Sequence, residues 1–179
     1  IGAGLGGGSA DGAFMLKALN EKFNLKIPQS EMTNLAARLG SDCPFFIDNK
    51  AVLVKGKGEK LSPVNLSLKG YYFVLVYPNI HISTAEAYAG ITPRKPPKPI
   101  EEIIQFPIEE WKVYLKNDFE HHLFEKYPVI ERVKSDMYQL GALYASMSGS
   151  GSSVYGIFKK IPLDLSVFSE FKVFKGKFD

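Results

Sequence analysis

Only one cysteine, Cys43, occurs among the 179 residues, so no internal disulfide can form and a reducing, cytoplasmic setting is expected. No apolar run approaches the roughly 20 residues of a membrane span, so no membrane partner is expected. Histidine is scarce. His81 stands alone, and the adjacent His121 and His122 point different ways from one helix, which leaves no ready zinc ligand set. Charge of one sign does not accumulate either. The formal net charge is +3 with Lys and Arg scattered, so no nucleic-acid partner is called for, and a small anionic ligand is equally well served. An initiating Met and an internal repeat are also missing. A phosphate loop needs a strand or loop feeding into it, so the glycine-rich opening reads as the C-terminal part of a larger protein.

What is present is ordinary for a globular domain: 45% hydrophobic and 23% charged residues, in a chain long enough to bury a core as one domain or two small ones. Gly12, Met15, Leu16, Leu19 and Phe23 follow the helical period over residues 9–23. Met32, Leu35, Ala36 and Leu39 predict a second helix over 28–39, with Ser30 as its cap and Gly40 as its stop. A strand is expected at 51–55 and a turn at 55–60. Lys69-Gly70 marks a boundary, followed by a buried strand at 71–77 that Pro78 stops. Four prolines within 92–99 make a surface crossing. Helices are expected at 108–115, 117–126 (capped by Asn117-Asp118) and 128–140. Strand, tight turn and strand follow over 141–158, and a last strand over 168–174. Strands and helices without strict alternation predict an α+β fold.

Three segments can carry chemistry. The first is G-A-G-L-G-G-G-S-A-D (2–11), where bare backbone N–H groups meet a helix start, the arrangement that gathers phosphate oxygens. Gly2, Gly4 and Gly7 satisfy G-x-G-x-x-G, but no acid-tipped strand follows, and no Lys precedes the Ser as a Walker loop requires. A flexible tail is the competing reading. The second segment is L-G-S-D-C-P-F-F (39–46). Its Asp42 is pinned between a helix stop and Pro44 ahead of two buried aromatics, and can act as a general base or merely satisfy turn donors. The third is A-S-M-S-G-S-G-S-S-V-Y-G-I-F (145–158). Gly149 and Gly151 there admit a phosphate or another backbone, or simply make a hairpin.

In order, these segments resemble the GHMP kinases, the superfamily of galactokinase, homoserine kinase and mevalonate kinase. The family's second motif stands as I-G-A-G-L-G-G-G-S-A-D-G-A (1–13), with its proline falling one residue upstream. The third stands as M-S-G-S-G-S-S-V-Y-G-I-F (147–158). A finer resemblance lies in the triple Gly with S-A-D, L-G-S-D-C-P-F-F, S-T-A-E-A-Y (83–88) and N-D-F-E (117–120), which departs from the pattern N-D-L-E at Phe119. It points to the branch that phosphorylates a cytidine-diphosphate-linked methylerythritol in non-mevalonate isoprenoid synthesis. The resemblance runs from residue 1 to about 158 and is weak over the final twenty residues.

The resemblance implies ATP-dependent phosphorylation of the 2-hydroxyl of the methylerythritol moiety. It implies a GHMP kinase fold: a partial first, ATP-binding domain over 1–66 and a ferredoxin-like second domain over 67–179. Ile1, Gly2, Ala3, Gly4, Leu5, Gly6, Gly7, Gly8, Ser9 and Ala10 would wrap the ATP phosphates, with the Ser9 hydroxyl toward Mg²⁺. Asp42 would be the catalytic carboxylate. Thr84 would sit near the methylerythritol end and Tyr88 near the cytosine, while the loop 149–152 would support the phosphate loop and the substrate, with Gly149, Ser150 and Gly151 lining the latter. The family's catalytic lysine belongs to a more N-terminal segment, so these residues alone are expected to be inactive. Apolar surface left bare by that segment would favour a homodimer. Two alternatives stay open: another small-molecule kinase of the family, of homoserine or mevalonate type, and a non-catalytic nucleotide-binding module.

Overall fold

The computed structural model describes residues 2–56, 58, 60–92 and 95–179. Ile1 lies outside the described residues, as do Lys57 and Glu59 of the expected 55–60 turn and Pro93 and Arg94 of the expected crossing. The described chain forms two compact units, Gly6–Leu66, and Gly2–Leu5 together with Ser67–Asp179.

The first unit holds three helices and a hairpin. Helix α1 (Gly7–Lys22) starts two residues earlier than its apolar period predicts, because Gly6 takes the left-handed conformation (φ 64°) that turns the chain into it. Helix α2 (Gln29–Leu39) stops at Gly40. Ser30 does not cap it. Pro28 holds the N-cap position and Ser30 falls inside the first turn, past the point from which a hydroxyl can serve the free N–H groups. Helix α3 (Cys43–Asp48) replaces the turn expected there, with Pro44 pre-set for its first turn. Phe45 and Phe46 are half-buried rather than buried and stack edge to face at 4.9 Å, while Cys43, Pro44 and Ile47 take the inward positions. Strands β1 (Val52–Lys55) and β2 (Lys60–Pro63) pair antiparallel. The buried set is Ala13, Ala36, Cys43 and Ile47, backed by Leu16, Met32 and Phe46. Asn20 closes the α1–α2 loop, its amide donating to the Ile27 carbonyl (3.1 Å) and its oxygen accepting from the Ile27 N–H (3.0 Å).

In the second unit the order is β3 (Tyr72–Tyr77), α4 (Thr84–Ala89), α5 (Ile100–Ile103), α6 (Ile108–Tyr114), α7 (Glu120–Lys126), α8 (Pro128–Gln139), β4 (Tyr144–Met147), β5 (Val154–Phe158) and β6 (Lys172–Lys177). The sheet runs β4-β5-β3-β6, antiparallel throughout. That is the split β-α-β arrangement of ferredoxin-like folds, with the second crossover reduced to a 3-10 turn at Ser166–Phe168. Alternation sends Val74, Val76, Ala145, Met147, Val154 and Phe158 to one face, where α4, α7 and α8 bury them with Ala87, Leu123, Ile130, Val133 and Met137. Gly156 lets α8 close on the sheet, since a Cβ there would lie 2.8 Å from the Phe158 ring and 3.1 Å from Met137 Sδ. On the opposite face, Trp111 of α6 meets Tyr144 edge-on at 5.8 Å.

Three expectations shift here. Helix α4 was not foreseen, its six residues being too few to show a period. The helix expected from 117 begins at Glu120. The strand expected at 168–174 lies at 172–177, because Phe168 is fully buried by the 3-10 turn and the chain straightens only after Phe171.

Candidate functional site

The start of α1 in the first unit is an open donor site. The first rung of the helix runs from the Ala10 N–H to the Gly6 carbonyl at 2.9 Å, so the N–H groups of Gly7, Gly8 and Ser9 have no acceptor within the helix. No side chain caps this end and no acid stands in its first turn. A Cβ placed on Gly7 or Gly8 would meet nothing within 4 Å. Uncapped donors, the helix dipole and bare approach are the conditions under which a helix start can receive an anion.

Asp42 occupies the N-cap position of α3 and is exposed, with its Oδ1 accepting from Ser41 Oγ at 3.4 Å. Helix α3 lies along the first turns of α1. A Cβ on Gly6 would be 3.0 Å from the Phe46 ring, and one on Gly12 would be 3.8 Å from Cys43 Sγ. Among the described residues the Asp42 side chain is exposed, with Ser41 as its hydrogen-bond partner.

In the second unit, Gly2–Leu5 is threaded onto the loop after β4. Ser148 Oγ donates to the Gly4 carbonyl at 2.7 Å, and the Ser153 N–H donates to the Ala3 carbonyl at 3.1 Å. Gly4 is required there. Its φ is +75°, and a Cβ would fall 2.0 Å from the Ser148 carbonyl oxygen. Gly149 and Ser150 lie on the outer side of this loop, whereas Gly151 is buried under Met147 and Ile82.

Two side chains from the α6–α7 connection and the start of α7 hold the loop. Asn117 Nδ2 donates to the carbonyls of Met147 and Gly149, both at 2.8 Å, and its Oδ1 accepts from the Phe119 N–H at 3.0 Å. Buried Glu120 accepts from the Met147 N–H (2.8 Å), Ser146 Oγ (3.1 Å) and Lys134 Nζ (2.6 Å). Sequence reasoning read Asn117 only as a helix cap and assigned Glu120 no task. The one signal available was the N-D-F-E motif itself.

Thr84 opens α4 in an exposed position, and Ser83 caps that helix by accepting from the Glu86 N–H at 3.2 Å. Glu86 ties α4 down through Lys126 Nζ and the Tyr127 hydroxyl, each at 2.7 Å. Those two donors hold its carboxyl below the ordinary carboxylate range. Tyr88 is 63% exposed and meets Phe119 edge-on at 5.0 Å. Beside Phe119 opens a cleft of about 580 Å³ whose walls include Asn117, Tyr144, Ser148, Gly149 and Tyr155. Burial pushes the phenols of Tyr144 and Tyr155 well up, so both stay neutral.

The family profile described as GHMP kinases N terminal domain matches residues 1–50, and that described as GHMP kinases C terminal matches residues 100–163. The chain belongs to the GHMP kinase family. Among its GHMP kinase relatives, the 4-diphosphocytidyl-2-C-methyl-D-erythritol kinase of Parabacteroides distasonis is 50% identical over 179 residues, covering 99% of this chain and 66% of that one. The kinase of the same name from Bacteroides fragilis (strain YCH46) is 55% identical over 157 residues, covering 88% and 57%. The chain thus spans about three fifths to two thirds of the length of these curated relatives. A crystal structure of 4-(cytidine 5'-diphospho)-2C-methyl-D-erythritol kinase superposes with a TM-score of 0.81 at 28% identity, over 98% of this chain and 66% of that one. Homoserine kinase from Cytophaga hutchinsonii shares the fold, with a TM-score of 0.66 at 17% identity over 99% and 67% of the two chains.

Proposed function

We propose that the protein carrying this chain transfers the terminal phosphoryl group of ATP to the 2-hydroxyl of 4-diphosphocytidyl-2-C-methyl-D-erythritol. The observation that carries the reading is the uncapped, acid-free start of α1 beside Asp42, in a chain 50% identical to a kinase of that name. The donor set fits a nucleotide: three main-chain N–H groups without intrahelical acceptors, reached across glycines with open space above them. Residues 1–10 would hold the phosphates, with the Ser9 hydroxyl toward Mg²⁺. ATP supplies the phosphoryl group when bound, and Mg²⁺ neutralises its charge.

In this reading residues 1–66 close the ATP-binding domain and 67–179 form the second domain. Asp42 orients the substrate hydroxyl or accepts its proton, and its carboxylate is exposed to do so, bonded among the described residues to Ser41 Oγ. Thr84 faces the methylerythritol end and Tyr88 the cytosine, while Gly149, Ser150 and Gly151 shape the substrate side. Phosphoryl transfer is mostly positioning and charge stabilisation, which a donor loop and one carboxylate suit.

The test joins this chain to the third of the Parabacteroides distasonis relative that it does not span and measures ADP release with the named substrate. Asp42→Asn is expected to cut kcat by about 10²–10⁴-fold, the usual weight of a positioned acid–base group, with an unchanged melting temperature. The 179 residues alone are expected to give no turnover. Faster ADP release with homoserine would reassign the substrate, and ATP binding without turnover on any substrate would reduce the protein to a nucleotide-binding module.

A further inference from the structure

We infer that Asn117 is the positioning residue for the N-terminal glycine segment. Its Nδ2 bonds the carbonyls on either side of Ser148, those of Met147 and Gly149, at 2.8 Å each. Ser148 cannot rotate about its backbone without breaking one of these bonds. Its hydroxyl is thereby aimed at the Gly4 carbonyl, 2.7 Å away. The Gly151 N–H donates to the Ser148 carbonyl (3.0 Å) and the Ser153 N–H to the Ala3 carbonyl (3.1 Å), so the loop and Gly2–Leu5 form one bonded patch. Leu5 leads directly into Gly6 and the start of α1.

The chemistry of the side chain separates two roles. Capping the Phe119 N–H needs only an acceptor, which Asp or Ser supplies as well as Asn. Holding two carbonyls from one atom needs an –NH₂ group, and at this side-chain length only Asn carries one. A carboxylate at this position would turn an oxygen toward two carbonyl oxygens. Asn117 is therefore required as a donor, although its place before a helix suggests an acceptor. That the held segment serves phosphate binding rests on the function proposed above. That Asn117 fixes the segment does not.

The experiment measures amide hydrogen exchange by NMR in this chain, comparing the original sequence with Asn117→Asp and Ser148→Ala. In Asn117→Asp the Gly151 and Ser153 amides are expected to exchange at least tenfold faster, while the Phe119 amide and those of β3 and β5 keep their protection. Ser148→Ala, which cuts only the bond to Gly4, should accelerate Ser153 in the same way. Unchanged exchange at Gly151 and Ser153 in Asn117→Asp would overturn the inference, as would an equal acceleration throughout β3 and β5. Unaltered Ser153 exchange in Ser148→Ala would overturn the link to Gly4. ATP is then titrated while the Gly7 and Gly8 amides are followed, and Asn117→Asp is expected to weaken the response several-fold. No response in the original sequence would refute the phosphate reading and leave the exchange comparison to decide on Asn117.

Discussion

Ser148 Oγ donates to the carbonyl oxygen of Gly4 at 2.7 Å, across 144 positions of sequence. Gly2–Leu5 and the loop after β4 therefore form one structural element. One segment contributes the carbonyls of Ala3 and Gly4, and the other contributes the donors that hold them.

Gly4→Ala should detach that element. The left-handed backbone alone costs a non-glycine residue about 1–2 kcal/mol. The added Cβ would also sit 2.0 Å from the Ser148 carbonyl oxygen and 2.8 Å from that of Gly151. The expected outcome is loss of protection at the Ser153 amide with little change in the melting temperature of the sheet. Full retention of that protection would show that the segment can be held some other way.

Glu120→Ala should unfold the end of β4 and destabilise the whole second unit. The substitution leaves the Met147 N–H without its acceptor, leaves the Ser146 hydroxyl only the Met147 carbonyl at 3.2 Å, and strips Lys134, whose side chain is only 21% exposed, of its partner. Removing one member of a buried pair costs about 3–5 kcal/mol, and partial exposure of Lys134 puts the expectation near the lower end, about 3 kcal/mol. Urea denaturation measures it. A loss under about 1 kcal/mol would mean that water replaces the carboxylate without difficulty.

The anchoring of α4 should depend on pH at both ends of the scale. The Lys126 and Tyr127 donors hold the Glu86 carboxyl below its ordinary 4.5, so this contribution is complete above 4.5 and disappears as pH falls through the lower folded value. The same bond raises Lys126 above its ordinary 10.5, so its contribution is complete below 10.5 and disappears as pH rises through the higher folded value. Backbone chemical shifts of Thr84–Ala89 are expected to move as pH falls below 4.5 and again as it rises above 10.5. Shifts that stay still at both ends would assign the anchoring to other groups.

Long elements with a clear period were legible from the residues alone. The stripe Met15, Leu16, Leu19 announces the helix α1, although Met15 and Leu19 are exposed and Ala13 is its buried residue, and Ile130, Val133 and Met137 lie on the buried side of α8 where a 3.6-residue repeat puts them. Short elements were not. Helix α3 carries a proline and two adjacent phenylalanines in six residues, a composition that also fits a turn. Strand β6 was displaced because Phe168 looks like strand and is instead the plug of a 3-10 turn. The glycine loops could be found because glycine density is a local signal. The work of Asn117 could not, since its acceptors lie 30 and 32 residues further on and neither carbonyl has a side-chain identity to betray it. Glu120 was hidden for the same reason: a buried carboxylate looks like any helix-surface acid until its donors are in place.

The interior of Gly6–Leu66 consists of Ala13, Ala36, Cys43 and Ile47, whereas Ser67–Asp179 encloses Phe158, Phe168, Met137 and Ile130. A large apolar side chain contributes about 1.5–3 kcal/mol when fully enclosed and an alanine far less, and a lone two-stranded hairpin is marginal in water. The half of the molecule that bears Asp42 therefore draws less on enclosed large side chains than the other half does. Any molecule that settles there tightens it in proportion to RT ln(1 + [L]/Kd), so occupancy and order in that half rise and fall together.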